Sequence, residues 1–106
     1  MSKHDDASPA KATSNPHEYQ AQVTLVNELG LHARAAGKLV ALASGFDAEI
    51  WVQKGDKQVN AKSIMGILML AASQGTPLMI TSRGVAAKDA CDALAQLIKE
   101  GFGEQS

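Results

Sequence analysis

The segment Tyr19-Gln-Ala-Gln-Val-Thr-Leu-Val26 alternates loosely between apolar and polar residues, which is typical of a half-buried strand. Asn27-Glu-Leu-Gly30 then interrupts the alternation. From Ala33 to Ser44 the apolar residues recur at helical spacing. The stretch therefore predicts a strand, a short connection and a helix, with His32 just before or at the helix start.

The rest of the chain continues this alternation of strands and helices. Further strands are predicted over 47–53, 57–61 and 78–82. Helices are predicted from Ile64 to about Ala72, with Ser63 as the N-cap, and from about Ala86 to Lys99. The predicted order is β-α-β-β-α-β-α, with four strands in one sheet and helices over one face. This is an α+β layer arrangement.

The first 18 residues differ from the remainder of the chain. They are polar, contain two prolines and show no apolar periodicity. Such a segment cannot bury enough apolar surface to offset chain entropy, so we expect a disordered tail over 1–18 and one folded domain over 19–106. His4 and His17 lie in this tail without paired ligands around them, which argues against a metal site.

Composition excludes several classes of function. Lys and Arg total 10 against 11 for Asp and Glu, whereas nucleic-acid binders normally carry a basic face. No apolar run reaches the roughly 20 residues of a membrane span. Cys91 is the only cysteine and falls in the apolar stripe of the last helix, so we expect a buried structural thiol and a cytoplasmic protein. No cofactor motif is present.

The segment Gly30-Leu-His-Ala-Arg-Ala-Ala36 has the chemistry of an anion site with a nucleophile attached. Free backbone N–H groups and the helix dipole favour an anion at the first turn. Neutral imidazole is nucleophilic at cellular pH, and the Arg34 guanidinium can add a charge-assisted hydrogen bond to a phosphoryl group. A histidine at this position can equally be an ordinary cap or surface residue.

Two segments resemble a known family. Asn27-Glu-Leu-Gly-Leu-His-Ala-Arg34 is similar to the active-site segment of HPr, a phosphocarrier of the phosphotransferase system. Lys62-Ser-Ile-Met-Gly66 is similar to the regulatory-serine motif of the same family. The spacing of the two segments and the order of the elements also agree, and the resemblance covers roughly residues 19–103.

The resemblance implies an open-faced sandwich, in which a four-stranded antiparallel sheet carries three helices on one side. It implies phosphorylation of His32 at Nδ1 by Enzyme I, which is charged from phosphoenolpyruvate, and transfer to a histidine of an Enzyme IIA-type acceptor. Arg34 would contact the phosphate. It also implies a carrier rather than an independent enzyme, working as a monomer without a metal or cofactor.

The second helix is apolar around most of its circumference. Ile64, Met65 and Leu68 occupy an arc beside the one formed by Ile67, Leu70 and Ala71, and a small domain can bury only one of the two. An exposed apolar arc indicates a docking surface, although a wide core stripe is the ordinary alternative. Ser63 is by itself simply an N-cap. The resemblance makes it a candidate phosphoserine for an HPr kinase/phosphorylase.

One residue departs from the family pattern. Ala35 stands where the family usually has proline, in the first turn of the helix, where a proline would be tolerated. Alanine gives up some preorganisation but leaves the nucleophile in place.

Three interpretations therefore compete. The first is a carrier in the sugar or the nitrogen branch of the system, because the chain mixes features of both. The second is a regulatory HPr-like protein that acts mainly through Ser63 and partner binding. The third is a small-molecule binding module, since fold alone does not fix function.

Overall fold

The computed structural model describes residues 8–104. The strands are β1 (Lys11–Ala12), β2 (Glu18–Thr24), β3 (Glu49–Lys54), β4 (Lys57–Asn60) and β5 (Pro77–Arg83). The helices are α1 (Ala33–Ser44), α2 (Ile64–Met69) and α3 (Ala87–Lys99), and a 3-10 turn follows at Gly101–Gly103. The predicted elements from β2 onward all form, and α1 has the predicted bounds.

The strands make one antiparallel sheet in the order β1-β2-β5-β3-β4. At its centre, Ala21 of β2 pairs with Ile80 of β5, and Ile80 pairs with Val52 of β3. These three side chains are buried. Because side chains alternate across a strand, the shared register places them on one face of the sheet.

The helices cover that buried face. α3 packs against β2, β5 and β3, while α1 packs against α2 and α3. Gln20, Trp51 and Gln53, which point the other way, are half-buried. This is the α+β open-faced sandwich that the sequence predicts, with one strand more than the expected four.

The extra strand corrects the prediction that residues 1–18 form a disordered tail. In the described part of that segment, β1 pairs with β2, with Lys11 opposite Gln20. The Asp92 carboxylate of α3 accepts hydrogen bonds from the Ser8 hydroxyl at 2.8 Å and the Ala10 N–H at 2.9 Å. Specific hydrogen bonds and the burial of Ala10 hold this segment, although it has no apolar periodicity. Residues 1–7, including His4, lie outside the described range.

Helix α2 ends at Met69, three residues before the predicted end near Ala72. The Lys57 and Lys54 ammonium groups donate to the carbonyls of Met69 at 3.1 Å and Leu70 at 2.8 Å. Ala71 then adopts a φ of 50°, which a continuing right-handed helix does not allow. The chain turns there and runs back beside the start of α1.

Within residues 8–104, no helix combines the length and the apolar character needed to cross a membrane.

Candidate phosphorylation site at the start of helix α1

A tight turn places His32 at the N-terminus of α1. Gly30 has a φ of 64°, and a Cβ there would lie 2.5 Å from the Ala72 carbonyl oxygen. The Leu31 N–H donates to that same carbonyl at 3.0 Å, and the His32 N–H donates to the Gly30 carbonyl at 2.9 Å. The connection therefore requires glycine at position 30, and its hydrogen bonds tie it to the chain after α2.

His32 is the N-cap residue of α1, as the sequence predicts, but its side chain does not cap the helix. Its carbonyl accepts the Ala36 N–H at 2.8 Å. Within residues 8–104, the N–H groups of Ala33, Arg34 and Ala35 have no hydrogen-bond partner. These three donors and the positive end of the helix dipole have the arrangement expected of the anion site that the sequence predicts.

An open cleft lies in front of this helix start. Arg34 and Lys38 of α1 line it together with His32 and Glu104. Arg34 is exposed, and its guanidinium has no ion-pair partner in the described part of the chain. The Lys38 ammonium donates to the Phe102 carbonyl at 2.7 Å. The structure thus places the predicted Arg34 in the same cleft as His32.

Glu104 is a member of the site that the sequence analysis missed. Its Oε2 lies 2.5 Å from Nε2 of His32, and the two side chains are 14% and 27% exposed. Hydrogen bonds from His32 and Asn27 lower the pKa of Glu104 below its usual value, against the opposing effect of burial. Because an ionised carboxylate only accepts hydrogen bonds, Nε2 carries the proton in this contact.

Asn27 connects Glu104 to the turn before α1. It is 2% exposed, and its amide nitrogen donates to the Gly30 carbonyl at 2.9 Å and to Oε1 of Glu104 at 3.0 Å. The turn Gly101–Gly103, in which all three residues have positive φ, directs the chain back to this point. The Gly-Phe-Gly sequence indicates a turn after α3, but no local signal indicates that Glu104 meets a histidine 72 residues earlier.

Ser63 and its helix form a separate feature. The Ser63 hydroxyl caps α2 by accepting the Gly66 N–H at 3.1 Å, as predicted. Ile64 and Met65 are 44% and 64% exposed, and Leu68 is half-buried against the core. Met69, which was not among the predicted docking residues, is 61% exposed. The expected apolar surface therefore exists, with Leu68 at its edge.

Two further predictions concern buried residues. Ala35 is the third residue of α1 and is fully buried. Cys91 is also fully buried, and burial raises the pKa of its thiol to about 11, so it is the inert structural thiol that was predicted. No group of metal-ligating side chains occurs in the part of the chain that the structure describes.

Known proteins are similar to this chain in both sequence and fold. The family described as "PTS HPr component phosphorylation site" matches residues 19–100. A phosphocarrier protein HPr from Neisseria meningitidis is 48% identical over 82 residues, which cover 77% of this chain and 92% of the relative. A phosphocarrier protein NPr from Shewanella violacea is 47% identical over 85 residues, covering 80% and 93%.

The crystal structure of an HPr from Thermoanaerobacter tengcongensis superposes with a TM-score of 0.79 at 44% identity, over 82% of this chain and 98% of that one. The family match and the relatives define the class of protein as a small carrier of phosphoryl groups. The chain belongs to the HPr family of phosphocarrier proteins of the phosphotransferase system.

Proposed function

We propose that this protein accepts a phosphoryl group on His32 from a phosphohistidine of Enzyme I and passes it to a histidine of an Enzyme IIA-type acceptor. One observation carries the assignment to His32. Its ring lies at a helix start whose three N–H donors, on Ala33, Arg34 and Ala35, have no partner among residues 8–104. A phosphoryl group on the ring can accept hydrogen bonds from these donors.

The nitrogen that reacts is Nδ1. Nε2 is engaged by Glu104, and Nδ1 has no partner in the described part of the chain. The Nδ1 lone pair attacks the phosphorus of the donor phosphohistidine. As the new N–P bond forms, the donor's N–P bond breaks and its electron pair returns to the donor ring. In the onward step His32 is the donor: a nitrogen of the acceptor's histidine attacks the phosphorus, and the electron pair of the broken N–P bond returns to the His32 ring. No cofactor is consumed in either step.

Arg34 stabilises the transferred group. Its exposed guanidinium lines the cleft beside His32, and guanidinium groups form bidentate hydrogen bonds with phosphoryl oxygens. The contact forms only when the phosphoryl group is present, which fits the absence of an ion pair at Arg34 in the described residues of the unphosphorylated protein.

The docking surface consists of the exposed apolar residues of α2 and of the turn before α1. Ile64 and Met65 belong to α2, with Leu68 at their edge, and Leu29 in the turn is 67% exposed. Gln74, which follows α2, donates to the Val26 carbonyl at 3.0 Å and so joins the two regions. Exchange partners that must separate again use small interfaces, on the order of 1,200 Å² or less.

Ser63 is a candidate regulatory site for an HPr kinase/phosphorylase. It begins the helix that carries the exposed Ile64 and Met65, so a phosphate there adds about two negative charges beside an apolar docking surface. Ser63→Asp tests this because aspartate is as good an N-cap as serine, so helix α2 is retained. We expect slower transfer from Enzyme I, and rates equal to wild type would count against the regulation.

The carrier works in the cytoplasm, where its partners are other proteins of the phosphotransferase system. It works as a monomer, and sedimentation tests this directly, since one HPr from Thermoanaerobacter tengcongensis is described as a dimer. The branch can be identified by mixing the phosphorylated protein separately with purified acceptors of the sugar and nitrogen branches. The acceptor that takes the label indicates the branch.

The central experiment is phosphate incorporation from labelled phosphoenolpyruvate with purified Enzyme I, followed by addition of an Enzyme IIA-type acceptor. We expect acid-labile label on the wild type, none on His32→Ala, and loss of label to the acceptor. His17→Ala is the matched control, because His17 is exposed and outside the cleft. Absence of label on the wild type with a matched Enzyme I would favour action through Ser63 or ligand binding instead.

A further inference from the structure

The contact between Glu104 and His32 has a chemical role that rests on the proposed carrier function. We propose that Glu104 is a positioning residue that keeps a proton on Nε2 of His32 throughout the transfer cycle. In the free protein this makes Nδ1 the nucleophile. In the phosphorylated protein it makes the ring a good leaving group for the onward transfer.

In the unphosphorylated protein, the hydrogen bond to Glu104 determines which nitrogen of His32 carries the hydrogen. The Glu104 carboxylate can only accept, so the favoured tautomer of neutral His32 has its hydrogen on Nε2 and its lone pair on Nδ1. The second nitrogen of a functional histidine is commonly fixed by a carboxylate in this way. The tautomer with a nucleophilic Nε2 would place a lone pair against a carboxylate oxygen and is disfavoured.

In the phosphorylated protein, the proton on Nε2 determines the charge of the His32 ring and therefore how well the ring leaves. When Nδ1 forms the N–P bond and Nε2 keeps its proton, the ring becomes an imidazolium with the Glu104 carboxylate beside it. When the phosphoryl group moves to the acceptor, the N–P bond breaks, its electron pair returns to Nδ1, and neutral imidazole is left. If Nε2 had lost its proton, the leaving group would be an imidazolate anion, which is far more basic and leaves more slowly.

The structure holds the carboxylate in place for this role. Both oxygens of Glu104 are engaged, Oε2 by His32 and Oε1 by the buried amide of Asn27. The same amide donates to the Gly30 carbonyl, so Asn27 links the turn before His32 to the segment that follows α3. Asn27 is therefore a second positioning residue, acting through Glu104.

Other charged groups face the ring from the same cleft. Arg34 and Lys38 of α1 bring positive charge to the cleft, and Glu28 in the turn before α1 adds a second carboxylate. Glu104 differs from these groups because it is hydrogen-bonded to the His32 ring. Removing this one charge is therefore expected to change the protonation of Nε2 without removing the anion site.

The test uses Glu104→Gln in the full chain with ¹⁵N-labelled histidine. The ¹⁵N chemical shifts of the ring, read by NMR at pH 8 in the phosphorylated protein, report whether Nε2 is protonated, and onward transfer to the acceptor is timed at the same pH. Loss of an adjacent opposite charge disfavours the charged form of a ring. We therefore expect a smaller protonated fraction of Nε2 in the variant and onward transfer slower by about tenfold.

Glu100→Gln is the matched control, because Glu100 is exposed and bonded to Gln96 of its own helix. Asn27→Ala should lower the protonated fraction of Nε2 in the same direction by a smaller amount. If Glu104→Gln has the protonated fraction and the onward rate of the wild type, the inference is overturned, while phosphorylation of His32 would still support the carrier function. Failure of the wild type to accept phosphate would instead count against the carrier function itself.

Discussion

Helices α1 and α2 begin in two different ways. At α2, the Ser63 hydroxyl accepts the Gly66 N–H at 3.1 Å, so the side chain of the N-cap satisfies a first-turn donor. At α1, the His32 side chain makes no cap bond, and the N–H groups of Ala33, Arg34 and Ala35 have no partner within residues 8–104. Both residues precede their helices in extended conformation, with ψ of 113° at Ser63 and 176° at His32.

The difference separates a side chain that caps its helix from one that does not. A hydroxyl in the cap position stabilises its helix, whereas a ring directed towards a carboxylate leaves the helix donors to an incoming anion. The start of α1 lacks the stabilisation of a side-chain cap, and its first-turn N–H groups can bind an anion. The site at His32 is therefore defined by what the helix start leaves unsatisfied as well as by the histidine itself.

The largest effect is expected from Gly30→Ala, which disturbs the turn that places the α1 start. The new Cβ would lie 2.5 Å from the Ala72 oxygen and 2.8 Å from Cα of Ser73, at a φ of 64°. Strain and overpacking together predict a loss of about 3 kcal/mol in the free energy of unfolding, measured by urea denaturation. Gly55→Ala, with φ of 60° and open space around it, should show only the smaller conformational cost. Equal losses would mean that the close approach at Gly30 is unimportant.

The next effect is expected from Arg34→Ala, which leaves the helix donors but removes the side-chain charge. A hydrogen bond to a charged group contributes about 1.5–3 kcal/mol, so transfer from Enzyme I should slow by about 10- to 100-fold. The measurement is the initial rate of label incorporation at saturating Enzyme I. Stability should be unchanged because Arg34 is exposed. Lys99→Ala, an exposed cation in the last turn of α3, is the control and should transfer normally.

Ser63→Ala, at the start of α2, should lower stability without slowing transfer, which is the reverse of the result expected for Arg34→Ala. Loss of the cap is expected to lower the free energy of unfolding by about 1 kcal/mol, measured by urea denaturation. The rate of phosphoryl transfer to His32 should stay near the wild-type value. Ser14→Ala removes an exposed hydroxyl and controls for composition. A strong loss of transfer in Ser63→Ala with an intact fold would remove the distinction between the two helix starts.

The smallest effect is expected from Ala35→Pro, which restores the residue usual in the family. The Ala35 N–H has no partner within the described residues, so proline removes no hydrogen bond and should raise the free energy of unfolding by about 0.4–1 kcal/mol. Ala36→Pro is the contrasting variant, because the Ala36 N–H donates to His32 at 2.8 Å. That substitution should cost about 3 kcal/mol. A destabilised Ala35→Pro would show that the buried site has no room for the ring.

The sequence predicts the parts of the site that depend on neighbouring residues. The positions of His32, Arg34 and Ser63 at helix starts are predictable because a helix start and its first turn lie within a few residues of one another. Their roles in the site are implied by the resemblance to the HPr family. The apolar arcs of α2 are predictable in the same way as the helix starts, with Ile67 buried and Met65 exposed. Periodicity and capping act locally, so a single sequence contains the information needed to predict them.

The contacts that the sequence analysis missed join distant segments. Glu104 meets His32 across 72 residues, and Asp92 binds Ser8 across 84. The first contact depends on the turn at Gly101–Gly103 and on the buried Asn27, and the second on a segment with no apolar pattern. Neither leaves a periodic signal, because one or two polar contacts are enough to hold a short segment against a core that is already formed.

The position of the phosphoryl group can be located by NMR in protein labelled with ¹⁵N-histidine and phosphorylated through Enzyme I. We expect phosphorus–nitrogen coupling at Nδ1 of His32, with Nε2 protonated beside Glu104. Coupling at Nε2, at another histidine such as His17, or phosphate found only on Ser63 would contradict it.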